Sequence, residues 1–592
     1  MKTKILYLTV ALAAMLGFSS CNLDYFPSDE LNSDLLLQDA KGAEYIMDGC
    51  YALLKDEVEF LGYSSGNYYL RHYFQLSEYP ADNICLSAHT TDPLYEATAY
   101  QMNDGLKNVG TLWMVAYKAI YMCNTVINTL DENETTNHQL LGEAYFMRGL
   151  MHLHLVTLFA KPYAVDKDAM GVPLRTSTSS EETVRAPVGE VYEQIVLDLR
   201  KAADLMGDSR VKGNKGYPCK AAALGVLSRV YLYMEDWDNC IATVNEALGG
   251  ESVDPSSKLE PNATFADYFK NAKTSEETLF CIACEDPADD RGQSSIGSMY
   301  LKDGIGWGEV YPSDPLMYLY ERYPSDVRYV GTVEWIKNDE DKIVDCRTSG
   351  MIWPKFSGKE GKKVYVTVPA SDEPESPHIK ASFNLIDDGG GNYSFKEGST
   401  TYNIETRKIN GAGVADDAGE YIEYHVNYKG EDCLCRINND VTLRTGYTIP
   451  MVFVKKFSYQ GGNPMLSSPV LCRWGEVILN RAEAYAHKGE TAKALADVDV
   501  IRTRAGIPSE GMFSGNMHGY TDVLDIVLDE RRMELAFEGH RMFDVYRNKR
   551  NMDRRYAGAQ PFKVVPYTEP HIQYPIPNNE WTVSGIPQNP GY

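Results

Sequence analysis

The chain lacks three features that would place it in large classes of protein: a basic excess, a second apolar span and a regular cysteine pattern. Its 57 lysines and arginines are outnumbered by 83 aspartates and glutamates, which excludes functions based on neutralising nucleic-acid phosphates. Beyond the first 20 residues, no apolar run approaches the about 20 residues that a transmembrane helix needs. Phosphate-binding glycine loops and metal-ligand motifs of recognisable spacing are also missing. We therefore expect no cofactor, and a structural Ca²⁺ near Asp286–Asp290 has no motif to support it.

Cysteine usage favours buried thiols over a disulfide framework. The chain has 12 cysteines, and one of them, Cys21, belongs to the N-terminal segment. The others are odd in number and irregular in spacing, so we expect most of them to be small buried side chains. Cys281 and Cys284 have the spacing of a redox or metal pair. They lie in a strand-like run, not at a helix start that would stabilise a thiolate, so a structural role is favoured.

The N-terminus has the layout of a secretory signal, with two lysines, an apolar run over residues 5–18, and small residues before Cys21. The run is too short to span a bilayer with ease, so we expect cleavage. Leu16-Gly-Phe-Ser-Ser-Cys21 resembles a bacterial lipobox, in which the cysteine becomes the lipidated first residue. Phe18 departs from the commoner leucine, and a plain signal peptide with an incidental cysteine stays the alternative.

These features predict a signal peptide over residues 1–20 and a lipidated tether over residues 21–30, which is polar and acidic. The signal contains two lysines and no acid, so the mature chain carries a formal charge of −28, from 55 basic and 83 acidic residues. Tyrosines outnumber phenylalanines by 41 to 18. A tyrosine ring offers an apolar face and a hydrogen-bonding tip, which suits a wet binding surface as well as helix packing.

Residues 31–277 are predicted to be an N-terminal helical region. From Val188 onward, apolar residues recur at three- and four-residue steps, and Pro187 stands where a first helical turn tolerates it. Similar stripes cover Trp113–Leu130 and Leu140–Phe159. The pattern is typical of amphipathic helices that pack on one another.

Two stretches resemble the helix-turn-helix unit of tetratricopeptide repeats, one beginning at Tyr231 and the other at Tyr485. Glu235 stands where the first unit should have its turn glycine, whereas Gly489 fills that position in the second. The units are too far apart in sequence to be neighbours in a simple solenoid. We therefore expect the intervening sequence to loop out and return.

Residues 278–592 are predicted to form a C-terminal region that contains this interval. Gly, Pro, Asp and Thr are frequent from about 278 to 470, and short β-like runs such as Lys363–Val368 appear. We predict a loop and β insertion at about residues 336–446, followed by closing helices. Long ordered loops are where binding residues concentrate.

Motifs along nearly the whole mature chain resemble those of the SusD/RagB-like surface lipoproteins of Bacteroidetes. The matching segments are residues 142–150, 171–174, 186–192, 220–224, 473–485, 501–506, 530–544, 575–577 and 588–592. The resemblance implies a mostly α, SusD-like helical scaffold of tetratricopeptide-like pairs, with long loops and small β elements. It also implies a lipid anchor on the outer face of the outer membrane, beside a SusC-like TonB-dependent transporter. The implied ligand is a glycan, although some relatives take peptides, and no catalytic residues are expected.

Two patterns favour an enzyme at first sight. Glu534, Glu538, His540 and Asp544 could act as acids and bases, as in a surface glycoside hydrolase with two carboxylates. Their spacing favours a structural role instead, because Arg531/Glu534, Glu538/Arg541 and Arg541/Asp544 are three residues apart and can pair along one helix. Gly62–Gly66 matches a nucleophile-elbow pattern, but the surroundings lack the alternating strands and helices of an α/β-hydrolase.

Candidate binding residues come from two aromatic segments. The first surrounds Trp307, whose flanking glycines predict an indole able to stack on the apolar face of a sugar, while nearby polar groups take the hydroxyls. A tryptophan covered by a neighbouring loop is the alternative. The second segment precedes the Trp113 helix. The predicted glycan-binding residues are Tyr300, Asp303, Trp307 and Tyr311 in the first segment, and Asn83, Tyr95, Tyr100 and Asn103 in the second.

The sequence thus predicts a cell-surface glycan-binding lipoprotein. A peptide-binding uptake lipoprotein is the first alternative, and a surface glycoside hydrolase is the second. Aromatic loops favour sugar over peptide only weakly.

Overall fold

The structure is a computed structural model. It describes residues 41–59, 61–62, 69–87, 90–179, 184–210, 213–265, 267–285, 287–301, 306–323, 325–328, 336–337, 343–345, 362–367, 379–410, 420–442, 448–450, 454–457, 462–556 and 563–592. The predicted signal, tether and Cys21 lie outside these residues, as do Asp303 and most of the Gly62–Gly66 pattern. Among the described residues, no helix is both long enough and apolar enough to cross a membrane.

The N-terminal region folds as a series of helices, as its apolar stripes predict. In chain order they are α1 (Gly42–Leu53), α2 (Tyr69–Glu78), α3 (Lys107–Thr129), α4 (His138–Phe159), α5 (Val188–Leu205), α6 (Lys220–Tyr233) and α7 (Trp237–Leu248). From α3 to α7, each helix packs against the next one in sequence. This series buries a continuous apolar core.

Helices α4 and α5 show why the sequence folds in this way. The predicted apolar stripe of α5 is buried, including Val191, Ile195 and Leu199. Gly149 of α4 faces this stripe, and a Cβ there would lie 3.2 Å from Leu199 Cγ. Glycine therefore lets the two helix backbones approach each other closely.

After α7 the chain forms further helices, and the longest of them begin at Trp474 and Thr491. These elements are α8 (Asn262–Phe265), α9 (Ile296–Tyr300), α10 (Asp314–Glu321), α11 (Trp474–His487), α12 (Thr491–Ala505), α13 (Val523–Glu534), α14 (Arg541–Arg547) and α15 (Asn578–Val583). Helix α11 packs against α12 and α13, and also against α6 and α7.

The two tetratricopeptide-like units therefore lie side by side, although more than 200 residues separate them in the chain. At their contact, the Trp237 and His487 rings stack with centroids 4.1 Å apart. Arg481 donates a hydrogen bond to Asn245 Oδ1 at 2.7 Å. The prediction that the interval loops out and returns is confirmed, and the outcome is a shared helical layer.

The strands of the described residues form five two-stranded pairs and one larger sheet. The strands are β1 (Ile84–Leu86), β2 (Met170–Pro173), β3 (Arg185–Pro187), β4 (Thr278–Cys281), β5 (Val310–Pro312), β6 (Ile336–Lys337), β7 (Ile343–Asp345), β8 (Lys362–Thr367), β9 (Ile379–Asn384), β10 (Ile386–Asp387), β11 (Tyr393–Glu397), β12 (Thr400–Asn410), β13 (Glu420–Tyr428), β14 (Glu431–Thr442), β15 (Thr448–Pro450), β16 (Val470–Arg473), β17 (Met552–Asp553) and β18 (Val564–Val565). The antiparallel pairs are β1–β5, β2–β3, β4–β16, β6–β7 and β17–β18.

The interval itself contains an antiparallel sheet in the order β10-β11-β12-β13-β14-β8-β9, with β15 pairing with β14. It has a core of its own, in which Phe395 stacks on Phe383 and Tyr402. The mostly α fold with small β elements is thus confirmed, whereas the predicted domain boundaries stay a prediction.

Candidate functional site

The two predicted binding segments are neighbours in the fold. Strands β1 and β5 pair antiparallel, with Ile84 opposite Pro312 and Leu86 opposite Val310. The Ser87 backbone N–H extends the pairing by donating to the Glu309 carbonyl at 2.8 Å. Residues 84–87 and 309–312 are therefore adjacent, which their separation in sequence could not show.

The loop that carries Trp307 is held to the end of α9 by its backbone. The Trp307 N–H donates to the Ser298 carbonyl at 2.7 Å, and the Gly308 N–H donates to the Leu301 carbonyl at 2.8 Å. A Cβ at Gly306 would lie 2.3 Å from the Ser298 oxygen. Glycine is thus required at this position for the backbone to approach α9 so closely.

The Trp307 indole is half-buried and fixed in orientation. Its Nε1–H donates to the Gln293 carbonyl at 2.7 Å. The Arg71 guanidinium carbon lies 5.3 Å from the centroid of the indole, within the range of a cation–π contact. Part of the ring also packs against the helical core. The outcome lies between the two alternatives from the sequence, because the ring is partly covered and keeps some exposed surface.

A chain of polar contacts links Arg71 to the second segment. The Arg71 Nε donates to Gln75 Oε1 at 3.3 Å, and the Gln75 amide donates to Asp92 Oδ2. Tyr79 OH also donates to Asp92 Oδ2, at 2.9 Å. Burial raises the pKa of Asp92 above its usual range, and the N–H of Leu94 and the Tyr79 hydroxyl oppose this.

Four of the predicted binding residues are buried in packing roles. Tyr300 stacks on Phe457 with ring centroids 5.5 Å apart. Tyr311 OH donates to the Gly308 carbonyl at 2.6 Å. Buried Tyr100 donates from its OH to the Pro80 carbonyl at 2.7 Å, and buried Asn83 accepts from Arg532 Nε at 2.9 Å. Contacts within the protein cover these side chains, so they have packing roles.

The remaining described candidates have open surface. Trp307 and Tyr95 are half-buried, and Asn103 is exposed, with its Oδ1 accepting from the Gly105 N–H at 3.1 Å. Sequence reasoning missed Arg71, which carries no motif because a single arginine on a helix resembles any other surface cation. Its position on α2, beside an indole from a distant loop, becomes visible only in the fold.

The charged cluster at residues 530–544 is a buried ion network. Glu534 Oε1 accepts from Arg473 at 2.6 Å and from Arg504, and Glu534 Oε2 lies 3.3 Å from Arg328. Glu538 pairs with Arg473 at 2.8 Å and with Lys456 at 2.6 Å. Although burial acts to raise the pKa of Glu534, Arg504, Arg473 and Arg328 hold it well below the usual range. A carboxyl group in this environment is not a proton donor at neutral pH.

The ion pairs predicted within one helix are wrong. Arg531 and Glu534 share α13, and Arg541 and Asp544 share α14, but their side chains pair with other partners, and the break between the two helices separates Glu538 from Arg541. Among the described residues, Arg531 pairs with Asp544 at 2.9 Å, and Arg541 pairs with Asp82 at 2.7 Å. Backbone at Phe537 and Gly539 in the left-handed region breaks the helix between them.

The described cysteines are buried, as expected for small core side chains. Burial raises the pKa of Cys284 to about 12 and also raises that of Cys281, which disfavours a reactive thiolate at either position. In the part of the chain that the structure describes, no group of three or more His, Cys, Asp or Glu side chains could hold a metal ion.

Comparisons with known proteins identify the family. Residues 58–232 match a SusD-like profile described as starch-binding and associating with the outer membrane, and residues 265–592 match the profile of the SusD family. A SusD-like protein of Formosa agariphila is 24% identical over 84% of this chain and 83% of its own.

Solved structures share the fold. A SusD superfamily protein of Bacteroides thetaiotaomicron is 21% identical, with a TM-score of 0.65 over 94% of this chain and 99% of its own. A laminarin-binding SusD-like protein is 19% identical, with a TM-score of 0.57 over 94% of this chain and 100% of its own. Because the SusD profile alone covers more than half of the sequence, the chain belongs to the SusD family.

Proposed function

We propose that the protein is a cell-surface lipoprotein that binds a glycan and delivers it to a SusC-like TonB-dependent transporter. The observation that carries the glycan assignment is the half-buried Trp307 indole. The Gln293 carbonyl and the Arg71 guanidinium fix its orientation. Membership in the SusD family supports the proposal, as does the laminarin-binding relative of the same fold.

The geometry suits weak, reversible capture. Sugars are heavily hydrated, so each hydrogen bond to a protein gains little net free energy, whereas an aromatic face supplies apolar contact without requiring one hydroxyl pattern. Because Trp307 is already held by its neighbours, binding costs little side-chain entropy. We expect dissociation constants on the order of micromolar to millimolar.

The test begins with a glycan array, followed by calorimetry on each glycan that binds. Trp307→Ala should weaken binding about tenfold or more, a loss of about 1.4 kcal/mol, without a large change in melting temperature. Tyr121→Ala is the matched control, because Tyr121 is an aromatic residue on α3 with 48% of its surface exposed. Equal losses in both variants, or unchanged binding by Trp307→Ala, would place the site elsewhere.

Peptide capture is the rival for the same surface. A peptide library screened beside the glycan array separates the two possibilities. A protein that takes peptides would bind members of the peptide library and would bind nothing on the glycan array. The glycan proposal fails if only peptides bind and if Trp307→Ala weakens the binding of those peptides.

Anchoring and delivery form a separate part of the proposal. Lipidation of Cys21 would hold the chain at the outer membrane, so Cys21→Ala should release or mislocalise it. Membrane fractionation measures this, and unchanged surface retention would contradict lipidation. Copurification of the native protein with a barrel transporter from detergent-solubilised outer membrane tests the partner.

We also propose that the protein does not cleave the glycan it binds. Its clustered carboxylates are neutralised by buried arginines rather than arranged around a cleft. Prolonged incubation with a bound oligosaccharide should return it intact by product analysis. Cleavage that is lost in Glu538→Gln would assign that carboxylate a catalytic role.

A further inference from the structure

A second opening lies between the two tetratricopeptide-like units and shares no lining residue with the Trp307 loop. This α6–α11 cleft has a volume of about 660 Å³. Its walls come from the loop before α6, the first turn of α6, the end of α7, strand β4 and the first residue of α11. Beside Trp474, its charged lining residues are four cations, Arg210, Lys215, Lys220 and Lys258, and three carboxylates, Asp208, Glu246 and Glu276. The volume falls in the range of small-ligand sites.

Two of the cations in the cleft have no carboxylate partner among the described residues. Arg210 donates from Nε to the Tyr217 carbonyl at 2.9 Å and from a terminal nitrogen to the Leu279 carbonyl at 2.7 Å. These bonds fix the guanidinium but leave its charge unneutralised. Lys258 Nζ lies 5.5 Å from the centroid of the Trp474 ring, which holds it over the indole.

The other two cations have only weak partners. Lys215 is almost buried, and its Nζ lies 2.9 Å from Glu276, whose side chain is 93% exposed. Lys220 Nζ lies 3.5 Å from Glu246, and both side chains are substantially exposed. Exposed ion pairs contribute little free energy and are easily exchanged. An anion that entered the cleft could therefore compete with these glutamates for the lysines.

Backbone groups add to the positive potential. Helices α6 and α11 both begin at the cleft without a side-chain cap, although their first N–H groups, those of Lys220 and Trp474, donate to the Gly207 and Glu277 carbonyls. The first N–H groups of a helix lack intrahelical acceptors and carry partial positive charge. In a chain with a net charge of −26, four cations against three carboxylates give the cleft a local positive excess. It would focus an anionic ligand at this place.

We propose that the α6–α11 cleft binds the acidic group of an anionic saccharide, a carboxylate or a sulfate ester. The choice of a saccharide rests on the proposed function, whereas the choice of an anion rests on the four cations. The acidic group would lie near Arg210 and Lys258, for which the described residues provide no ion pair, and the sugar ring would lie along Trp474 and the stem of Lys258. The α6–α11 cleft would thus recognise the charge of the saccharide, and the Trp307 loop would recognise the apolar face of a sugar ring.

Calorimetry on the full mature chain tests the proposal with four probes: galacturonic acid oligosaccharides, sulfated galactose oligosaccharides, neutral galactose oligosaccharides and inorganic sulfate. At least one acidic oligosaccharide should bind, more tightly than the neutral one and than sulfate alone. Lys258→Glu and Lys220→Glu should each weaken it about tenfold or more. Raising the salt from about 50 to about 500 mM should also weaken it, because shorter screening lengths reduce the attraction. The acidic probe that binds shows whether the recognised group is a carboxylate or a sulfate ester.

The control is Lys118→Glu, an equal charge change at an exposed lysine of α3 that does not line the cleft. It should change binding by no more than about threefold, which separates a local site from the effect of total charge. Melting temperatures of all variants check folding, and two independent lysine variants protect the test if one of them is unstable.

Three results would overturn the proposal that the cleft binds an anionic saccharide. One is the absence of binding by every acidic oligosaccharide, and another is equal affinity for the neutral or inorganic probe. The third is a loss in Trp307→Ala that neither cleft variant reproduces, which would assign the ligand to the Trp307 loop and leave the proposed function standing. Conversely, acidic binding that depends on Lys258 but is unchanged in Trp307→Ala supports the cleft even if the Trp307 proposal fails.

Discussion

Glu78 carries a buried carboxyl group whose ionisation should make the fold less stable as the pH rises. It is the last residue of α2, and its Oε1 accepts from the Gly539 N–H at 2.6 Å. Within the described structure, Oε2 has no hydrogen-bond partner. Burial raises the pKa of Glu78 to about 8, although the Gly539 N–H and Lys456 act to lower it. Folded Glu78 is therefore protonated near neutral pH.

The direction of the effect follows from proton linkage. Between about pH 4.5 and pH 8 the unfolded chain has lost this proton while the folded chain keeps it, so rising pH favours unfolding. A pKa raised from 4.5 to about 8 sets an upper bound of about 5 kcal/mol on the stability lost above pH 8. Glu78→Gln preserves the acceptor for the Gly539 N–H but cannot ionise. The variant should gain about 2–5 kcal/mol over the parent between pH 5 and pH 8.5.

Thermal melting of both proteins at several pH values from 5 to 8.5 measures this difference. The melting temperature of Glu78→Gln relative to the parent should rise with pH, by about 2–4 °C over the range. Glu193→Gln, at an exposed position of α5, should show a constant difference. A constant difference for Glu78→Gln as well would mean that Glu78 ionises as freely in the folded chain as in water, which would refute the reasoning.

Three further predictions concern backbone and buried charge. Glu534→Gln leaves three arginines facing an uncharged amide and should cost about 3–5 kcal/mol, measured by denaturant midpoint, whereas an unchanged midpoint would contradict the network. Glu235 and Gly489 occupy equivalent turns at φ 60° and 73°. In melting experiments, Glu235→Gly should stabilise by about 0.5–1 kcal/mol and Gly489→Ala should destabilise by about 1 kcal/mol, and opposite signs would refute the equivalence. Gly306→Ala would place a Cβ against the Ser298 carbonyl, so it should weaken glycan binding about as much as Trp307→Ala in calorimetry, and parental affinity would show that the loop tolerates the shift.

The helical scaffold was predictable because its signal is local. Each stripe of apolar residues, such as the one from Val191 to Leu199 on α5, predicts the buried face of its own helix. The turn at Gly489 is equally local. At Glu235 the same turn forms without a glycine, with the Asp236 N–H donating to the Tyr231 carbonyl at 2.9 Å as the Glu490 N–H does to Tyr485. The flanking helices therefore impose a conformation that the residue itself disfavours.

The binding surface was only partly predictable, because burial is decided by partners that are distant in sequence. Tyr300 and Trp307 look alike as aromatic residues beside glycines. Phe457, more than 150 residues away, covers Tyr300, while Trp307 meets Arg71 and keeps some open surface. Spacing within the loop contains no trace of either partner. The sequence could therefore place the segment but could not separate its supporting residues from its exposed ones.

The segment 530–544 shows where counting residues fails. The three-residue spacing of Glu538 and Arg541 predicts an ion pair only if one helix runs through both residues, and α13 ends at Glu534. Gly539, at φ 79°, was the available signal, because a glycine in a charged run is a common place for a helix to end. Glu534 at the end of α13 and Glu538 beyond it both pair with Arg473, which reaches them from the strand that precedes α11. The carboxylates then hold the closing helices against the tetratricopeptide-like units, so the same charges that imitate an active site in sequence bind the scaffold together.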